Sequence, residues 1–327
     1  MKIKYLLLLS TLILDIQLNP TSYFLTRRVK LNNQVEEILT RYPELDREGF
    51  LELIGKISEG GLATQITLKD LELFLTCLEE TQTFYQSLFG ESARKIKKIR
   101  FHFLSTRKTL RMNTRDAELT IYPNSPLFET AIKNYPKVIA IEEVTHLYTA
   151  PGVAISYPCL QSFLDVLRGK IPHPFLQGFN PSLDFSKYFK SSGGLFEDWN
   201  LIDAINEVLN VAIALRIYGE RYREAGEKQT EAELEEYKKW IENSSLLKNS
   251  QGWQSFLPTF ARFELTFRLL GAWRKANEVR IYIMENIPIL SEDPKRGYSN
   301  LLKDLETLIT NIELKEPFRR KIENSPR

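Results

Sequence analysis

The chain has 327 residues, of which 43% are hydrophobic and 26% are charged, a balance typical of one large or two modest globular domains. Its formal net charge is only +2, so no overall basic field favours nucleic acid as a partner. The two cysteines, Cys77 and Cys159, are far apart and form no CxxC motif, which favours two free thiols over a disulfide or a thiolate zinc site.

Residues 1–22 are predicted to be an export signal or an uncleaved membrane anchor. Two lysines precede a mostly apolar run from Tyr5 to Leu14, which has the length of a signal-peptide core and is too short to span a bilayer comfortably. No A-x-A-like cleavage site follows, and the alternative is an apolar strand or helix at the start of the fold. We therefore expect a periplasmic or extracellular protein, or one anchored to a membrane by this segment.

Three helices are predicted next, because apolar residues recur at helical spacing. The first contains Val35, Ile38, Leu39 and Tyr42, and the others lie within residues 46–61 and 67–90. In the third helix, Thr67 is a candidate N-cap and Gly90 a candidate stop.

A small antiparallel sheet is predicted to follow these helices. Apolar and polar residues alternate within residues 95–106, and less strictly in "DAELTIYP", residues 116–123. The basic segment Arg107–Arg115 between them is predicted to be a solvated surface loop, and His102 to be an exposed strand histidine.

The segment "VIAIEEVTHLYTAPG", Val138–Gly152, is predicted to be an apolar helix that begins near Pro136 and ends at Pro151. A loop-rich stretch, a long helix from about Asp198 to Arg221 and further helices complete the chain. The predicted fold class is α+β and predominantly α-helical, with the sheet beside the 136–150 helix. We divide the chain after residue 22 into a domain at 23–225 and a C-terminal helical region at 226–327, which is expected to pack on that domain.

Two carboxylates and an imidazole lie together on the apolar helix. Glu142 and His146 are one turn apart on the same face, and Glu143 is three residues before His146. Such groups are costly to bury unless they are paired or bound to a metal. With histidine at position 142 the segment would match H-E-x-x-H, in which the histidines bind zinc and the glutamate is the general base. The ordinary alternative is that both glutamates face solvent on a half-buried helix.

A third acidic residue stands alone among apolar residues further along the chain. Glu207 follows Asn206 in "DAINEVLNVAIALRIYG", 61 residues after His146. Asn210 lies one turn further on the same face and is a candidate to support a ligand there.

These segments resemble a poorly characterised family of predicted gluzincin peptidases, zinc peptidases whose third ligand is a glutamate on a later helix. The resemblance runs from about Val29 to Arg221 and lies in "VEEILTRYPEL", "FYQSLFG", "EEVTHLYTAPG" and "INEVLNVAIALRIYGERY". It implies a zincin-like fold, Glu143 as the general base, and His146 and Glu207 as metal ligands, with Glu142 in the position of the first histidine.

Two functions from different classes follow from this resemblance. The first is a pseudopeptidase that binds no competent metal and holds a peptide or protein in the groove beside the sheet edge. The alternative is an active metal-dependent peptidase with Glu142, His146 and Glu207 as ligands; its metal would be zinc, or manganese or calcium if Glu142 coordinates. An unrelated helical protein is the remaining possibility.

His173, between two prolines, is a candidate extra ligand or oxyanion donor. No nucleic acid partner is expected, and membrane contact only through the N-terminal segment.

Overall fold

The computed structural model describes residues 22–60, 65–104, 106, 109–149, 160–244, 250–286 and 292–323. The predicted export segment up to residue 21, the predicted helix stop at Pro151 and the second cysteine, Cys159, lie outside the described residues. Within the described part of the chain, no helix is both long enough and apolar enough to cross a membrane.

The chain is mostly helical, as predicted, with a small sheet. The helices are α1 Ser22–Arg41, α2 Arg47–Ser58, α3 Leu68–Phe89, α4 Pro136–Thr149, α5 Leu160–Leu167, α6 Asp198–Tyr218, α7 Glu220–Glu242, α8 Ser250–Leu269, α9 Trp273–Asn286, α10 Glu292–Asn311 and α11 Glu316–Glu323. Local signals set the bounds of α3, where Thr67 and Asp70 form a reciprocal capping box and Gly90 ends the helix with a φ of 57°.

The main sheet has three strands, β1 Lys98–Phe101, β2 Leu110–Asn113 and β3 Glu118–Ile121, in the order β1-β3-β2. Because β1 pairs parallel to β3 and β2 pairs antiparallel to it, the sheet is mixed, and the prediction of an antiparallel sheet is wrong for β1. The parallel pairing is possible because the chain between β1 and β3 makes its own strand, which takes the other edge of β3. The segment predicted to be a solvated loop therefore contains β2.

The two outer edges of this sheet differ. The outer edge of β1 is covered, since Ile99 accepts a hydrogen bond from the backbone of Asp46 (2.8 Å) and donates one to Glu44 (2.8 Å). On its other side β2 has no strand partner among the described residues. Judged on the described residues, the sheet has one unpaired edge, along β2, and that edge borders the candidate site.

A continuous hydrophobic core extends from α1 to the C-terminal strand β5, Glu313–Leu314, which pairs with β4, Leu176–Gln177. Helix α4 packs between α3 and α6 and also contacts β2, while α8 packs along α6. The predicted division after residue 225 falls inside α7, and core residues lie on both sides of it. The C-terminal helices consequently form part of the surroundings of α4 and α6.

A buried carboxylate joins the last three long helices. Glu264 of α8 is 1% exposed and accepts hydrogen bonds from Arg268 (2.5 Å), Arg280 of α9 (2.6 Å) and the hydroxyl of Tyr298 of α10 (2.6 Å). Since charge-assisted hydrogen bonds offset the cost of burying the carboxylate, this cluster fixes how α9 and α10 pack on α8.

Candidate functional site

Helix α4 is held firmly at its C-terminal end. Arg94 donates from its guanidinium to the backbone oxygens of Leu147 (3.1 Å) and Thr114 (2.5 Å), and its own carbonyl accepts from the hydroxyl of Tyr148 (3.0 Å). Thr114 directly follows β2, so Arg94 ties the motif helix to the strand beside it. The helix side chains that carry the candidate chemistry are therefore fixed relative to the open sheet edge.

His146 and Glu207, which the sequence places on different helices, come together in the structure. Nε2 of His146 on α4 lies 3.5 Å from Oε2 of Glu207 on α6. Two ligands of a tetrahedral zinc ion, each about 2 Å from the metal, stand about 3.3 Å apart. The spacing therefore suits both a direct imidazolium–carboxylate pair and two ligands of one ion.

The surroundings of His146 favour its protonated form. Burial by itself lowers the pKa of the imidazole, but the charge and hydrogen bond of Glu207 and the charges of Glu143 and Glu142 outweigh it and raise this pKa to about 9. At neutral pH the imidazolium and Glu207 thus form an ion pair inside the site.

Glu142, in the position of the first histidine of the motif, is engaged by other side chains. Its Oε1 accepts a hydrogen bond from the hydroxyl of Tyr222 on α7 (2.6 Å), and its backbone oxygen accepts one from the amide of Asn210 (3.1 Å). Burial and the nearby charge of Glu233 raise the pKa of Glu142 to about 8, although the Tyr222 hydrogen bond lowers it in part. Asn210, which we expected to support a ligand, instead braces the helix that carries the site.

The donor set fits a three-ligand metal site only in part. His146 and Glu207 have the spacing of two ligands, whereas one carboxylate oxygen of Glu142 already accepts from Tyr222. Within the described residues, no group of three or more His, Cys, Asp or Glu side chains is arranged to hold one ion. A zinc ion, or manganese or calcium if Glu142 coordinates, stays a prediction.

The four predicted site residues line a cleft of about 130 Å³, together with residues from β2, α6, α7 and α8. One wall is the strand β2 with its flanking threonines, Thr109 and Thr114. Glu143, the predicted general base, is 9% exposed and lines the cleft from α4. At the β2 side, the guanidinium of Arg111 lies over the ring of Trp199, 5.8 Å from its centroid. The cleft thus combines a sheet edge with a strongly charged interior.

Sequence reasoning missed an ion pair that borders the cleft. Arg262 of α8 pairs with Glu233 of α7, and their side chains are 14% and 22% exposed. Both residues belong to the C-terminal region 226–327, which we predicted only to pack on the domain at 23–225. The one available signal was an arginine in the apolar segment "FLPTFARFELTF", and nothing in a single sequence connects it with Glu233.

The other two histidines lie outside this cleft. His102 is exposed, as predicted, and meets Tyr122 edge-on. His173 is 4% exposed; its Nδ1 accepts from the backbone amides of Phe175 (3.1 Å) and Leu176 (3.0 Å), and its Nε2 donates to the backbone oxygen of Thr149 (3.1 Å). Because both ring nitrogens are used in this way, His173 caps the end of α4 and is not oriented as the extra ligand that we considered.

We expect His173 to make stability depend on pH. Burial lowers the pKa of His173 to about 4, from an ordinary value near 6.5, so the unfolded chain binds its proton first as the pH falls. Neutral His173 therefore contributes about 3 kcal/mol to the free energy of unfolding. This contribution is complete above about pH 6.5 and is lost as the pH falls towards 4. Urea unfolding at steps from pH 7.5 to pH 4 measures it.

The matched variant is His173→Asn, because an asparagine oxygen can accept from the same two backbone amides and does not titrate. We expect its unfolding free energy to be lower than that of the wild type at pH 7, and the difference to shrink as the pH falls. A difference that stays constant over this range would contradict the neutral, capping role of His173.

Comparisons with protein-family models, with curated proteins and with solved structures find no match to this chain. The function is therefore inferred from the geometry of the cleft and from the resemblance in the sequence.

Proposed function

We propose that the protein binds a peptide or protein partner in the cleft between β2 and α4, as a zincin-like pseudopeptidase. The observation that carries the proposal is the open edge of β2 along this cleft. An exposed strand edge offers unpaired backbone groups, to which an extended peptide adds as a further strand.

The register of the sheet identifies which backbone groups are available. Tyr122 donates its N–H to the oxygen of Thr109 (2.8 Å), and Arg111 stands opposite Thr120 in the same antiparallel ladder. Since hydrogen-bonded and non-hydrogen-bonded pairs alternate in such a ladder, the backbone N–H and C=O of Leu110 and Met112 point away from β3. These are the groups that would pair with a bound peptide.

The engagement of Glu142 supports a binding role over catalysis. A catalytic zinc site needs three protein ligands and an open position for water. The hydrogen bond from Tyr222 occupies one oxygen of the carboxylate that would have to be the first ligand, and His146 and Glu207 stand close enough to neutralise each other without a metal. The same spacing of His146 and Glu207 also favours the alternative, an active metal-dependent peptidase with Glu143 as base.

A proline substitution at the open edge tests the peptide-binding proposal. Met112→Pro removes an N–H that is not used by β3, and proline is tolerated on edge strands when that side is free. Met112→Ala is the matched control, because it also loses the buried side chain but keeps the N–H. We expect a pool of randomised octapeptides with blocked ends to bind wild type and Met112→Ala, and Met112→Pro to bind at least about tenfold more weakly.

The outcomes distinguish both candidate functions. No retention of the pool by the wild type, or equal retention by the proline and alanine variants, would contradict binding along β2. Cleavage of the same peptides in the presence of zinc, abolished by a chelator and by Glu143→Gln, would favour the peptidase instead.

A further inference from the structure

We infer that the cleft selects peptides that carry a positively charged group, an ammonium or a guanidinium; this inference rests on the proposed function. Five carboxylate side chains line the cleft, against two arginines and one histidine. The acids are Glu142, Glu143, Asp203, Glu207 and Glu233, and the basic residues are Arg111, His146 and Arg262. With Glu142 largely protonated at neutral pH, the other four carboxylates still outnumber the three basic groups, and in a partly enclosed cleft this excess attracts cations and repels anions.

A buried amide oxygen in the cleft points to the same class of ligand. Gln229 on α7 is 2% exposed and donates from Nε2 to Glu233 (3.1 Å), while its Oε1 makes no hydrogen bond with any described protein group. A buried acceptor without a donor costs about 1–3 kcal/mol. Ammonium and guanidinium groups carry only donors, so either would supply this oxygen with a hydrogen bond.

A second buried amide fits the backbone of such a peptide. Asn206 on α6 is 5% exposed and lines the cleft, and its Nδ2 has no hydrogen-bond partner among the described residues. This donor requires an acceptor, which a peptide carbonyl next to the cationic group would supply. The cleft therefore offers polar partners for both parts of a cationic peptide.

An internal cation already occupies the aromatic surface at the mouth of the cleft. Trp199 is 43% exposed, and the guanidinium of Arg111 lies over its ring at 5.8 Å from the centroid. Tryptophan is the best aromatic surface for a cation. Removing Arg111 would uncover the ring and subtract one positive charge, so we expect Arg111→Gln to bind cationic peptides more tightly. This gain cannot result from misfolding.

The experiment uses octapeptide pools with blocked ends and one fixed position: Lys, Arg, Gln or Glu. A fifth pool has Gln at that position and a free amino terminus, which separates the terminal ammonium from a side chain as the source of charge. We expect the full-length protein to retain the Lys and Arg pools, or the free-terminus pool, about tenfold more than the blocked Gln pool, and the Glu pool least. The preference should weaken as the salt concentration rises from about 0.05 to about 0.5 M, because the added ions screen the attraction between the peptide and the cleft.

Three variants complete the test. Asp203→Asn is expected to reduce the cationic preference about threefold and Arg111→Gln to increase it about threefold. Glu224→Gln, on the same helix as Gln229 but with a side chain 81% exposed, makes the same charge change outside the cleft and should have no effect. Equal retention of the Lys, Gln, Glu and free-terminus pools would overturn the charge selection and leave peptide binding standing. No retention of any pool would overturn the proposed function as well.

Discussion

Replacing Glu142 by histidine is expected to raise the affinity for zinc by about a hundredfold or more, since an imidazole replaces a buried carboxyl group that is hydrogen-bonded to Tyr222 and has a raised pKa. Histidines at positions 142 and 146 would lie one turn apart on α4, and Glu207 already stands 3.5 Å from His146. The change also removes the carboxylate that Tyr222 now engages. Calorimetric titration with zinc, and metal content after dialysis, measure the difference from the wild type.

Two control variants separate completion of the site from loss of the Glu142 carboxyl group. Glu142→Gln removes this carboxyl group and supplies no imidazole, so we expect no gain in zinc affinity. Adding Glu207→Gln to Glu142→His should abolish the gain, because one ligand is then missing. Failure of Glu142→His to bind zinc would show that the side chains at 142, 146 and 207 do not converge. One tightly bound zinc in the wild type would instead favour the active peptidase.

The approach of Glu207 to His146 is the part of the site that the sequence predicted best. Each residue is an ionisable group in a mostly apolar helix; α4 begins at Pro136, and Gly219 is the C-cap of α6. Such groups are costly to bury unless they are paired. The resemblance to gluzincins, which assigns both residues to one ligand set, is what predicted a contact between the two helices.

The strand β2 and the pair Arg262–Glu233 were not predictable in the same way. In β2, Leu110 and Met112 are buried and alternate with Arg111 and Asn113, but four residues in a basic segment give too short a pattern to distinguish from a loop. An ion pair between α7 and α8 depends on how two helices dock, and single-sequence periodicity carries no information about docking. The strand that forms one wall of the cleft, and the ion pair that borders it, therefore became known only from the structure.

Loss of Arg262 is expected to destabilise the fold and the cleft together. The guanidinium pairs with Glu233 in a partly enclosed position, and although burial opposes its charge, the carboxylates of Glu233 and Glu207 hold the pKa of Arg262 above its ordinary value. Arg262→Met keeps much of the side-chain volume but leaves these acids without their main cation. We expect the free energy of unfolding at pH 7 to fall by about 3 kcal/mol, as measured by urea denaturation.

A second substitution identifies the cause of the lower free energy of unfolding. If uncompensated negative charge is the cause, Glu233→Gln in the Arg262→Met background should recover about half of the lost stability, and the two changes should be strongly non-additive. The deficit of Arg262→Met should also shrink between about pH 7 and pH 5, because the missing cation raises the pKa of the remaining carboxylates and protonation relieves their repulsion. Additive losses and a deficit independent of pH would indicate packing as the cause. In that case Arg262 would be a structural arginine, and the acidic character of the cleft would be set without it.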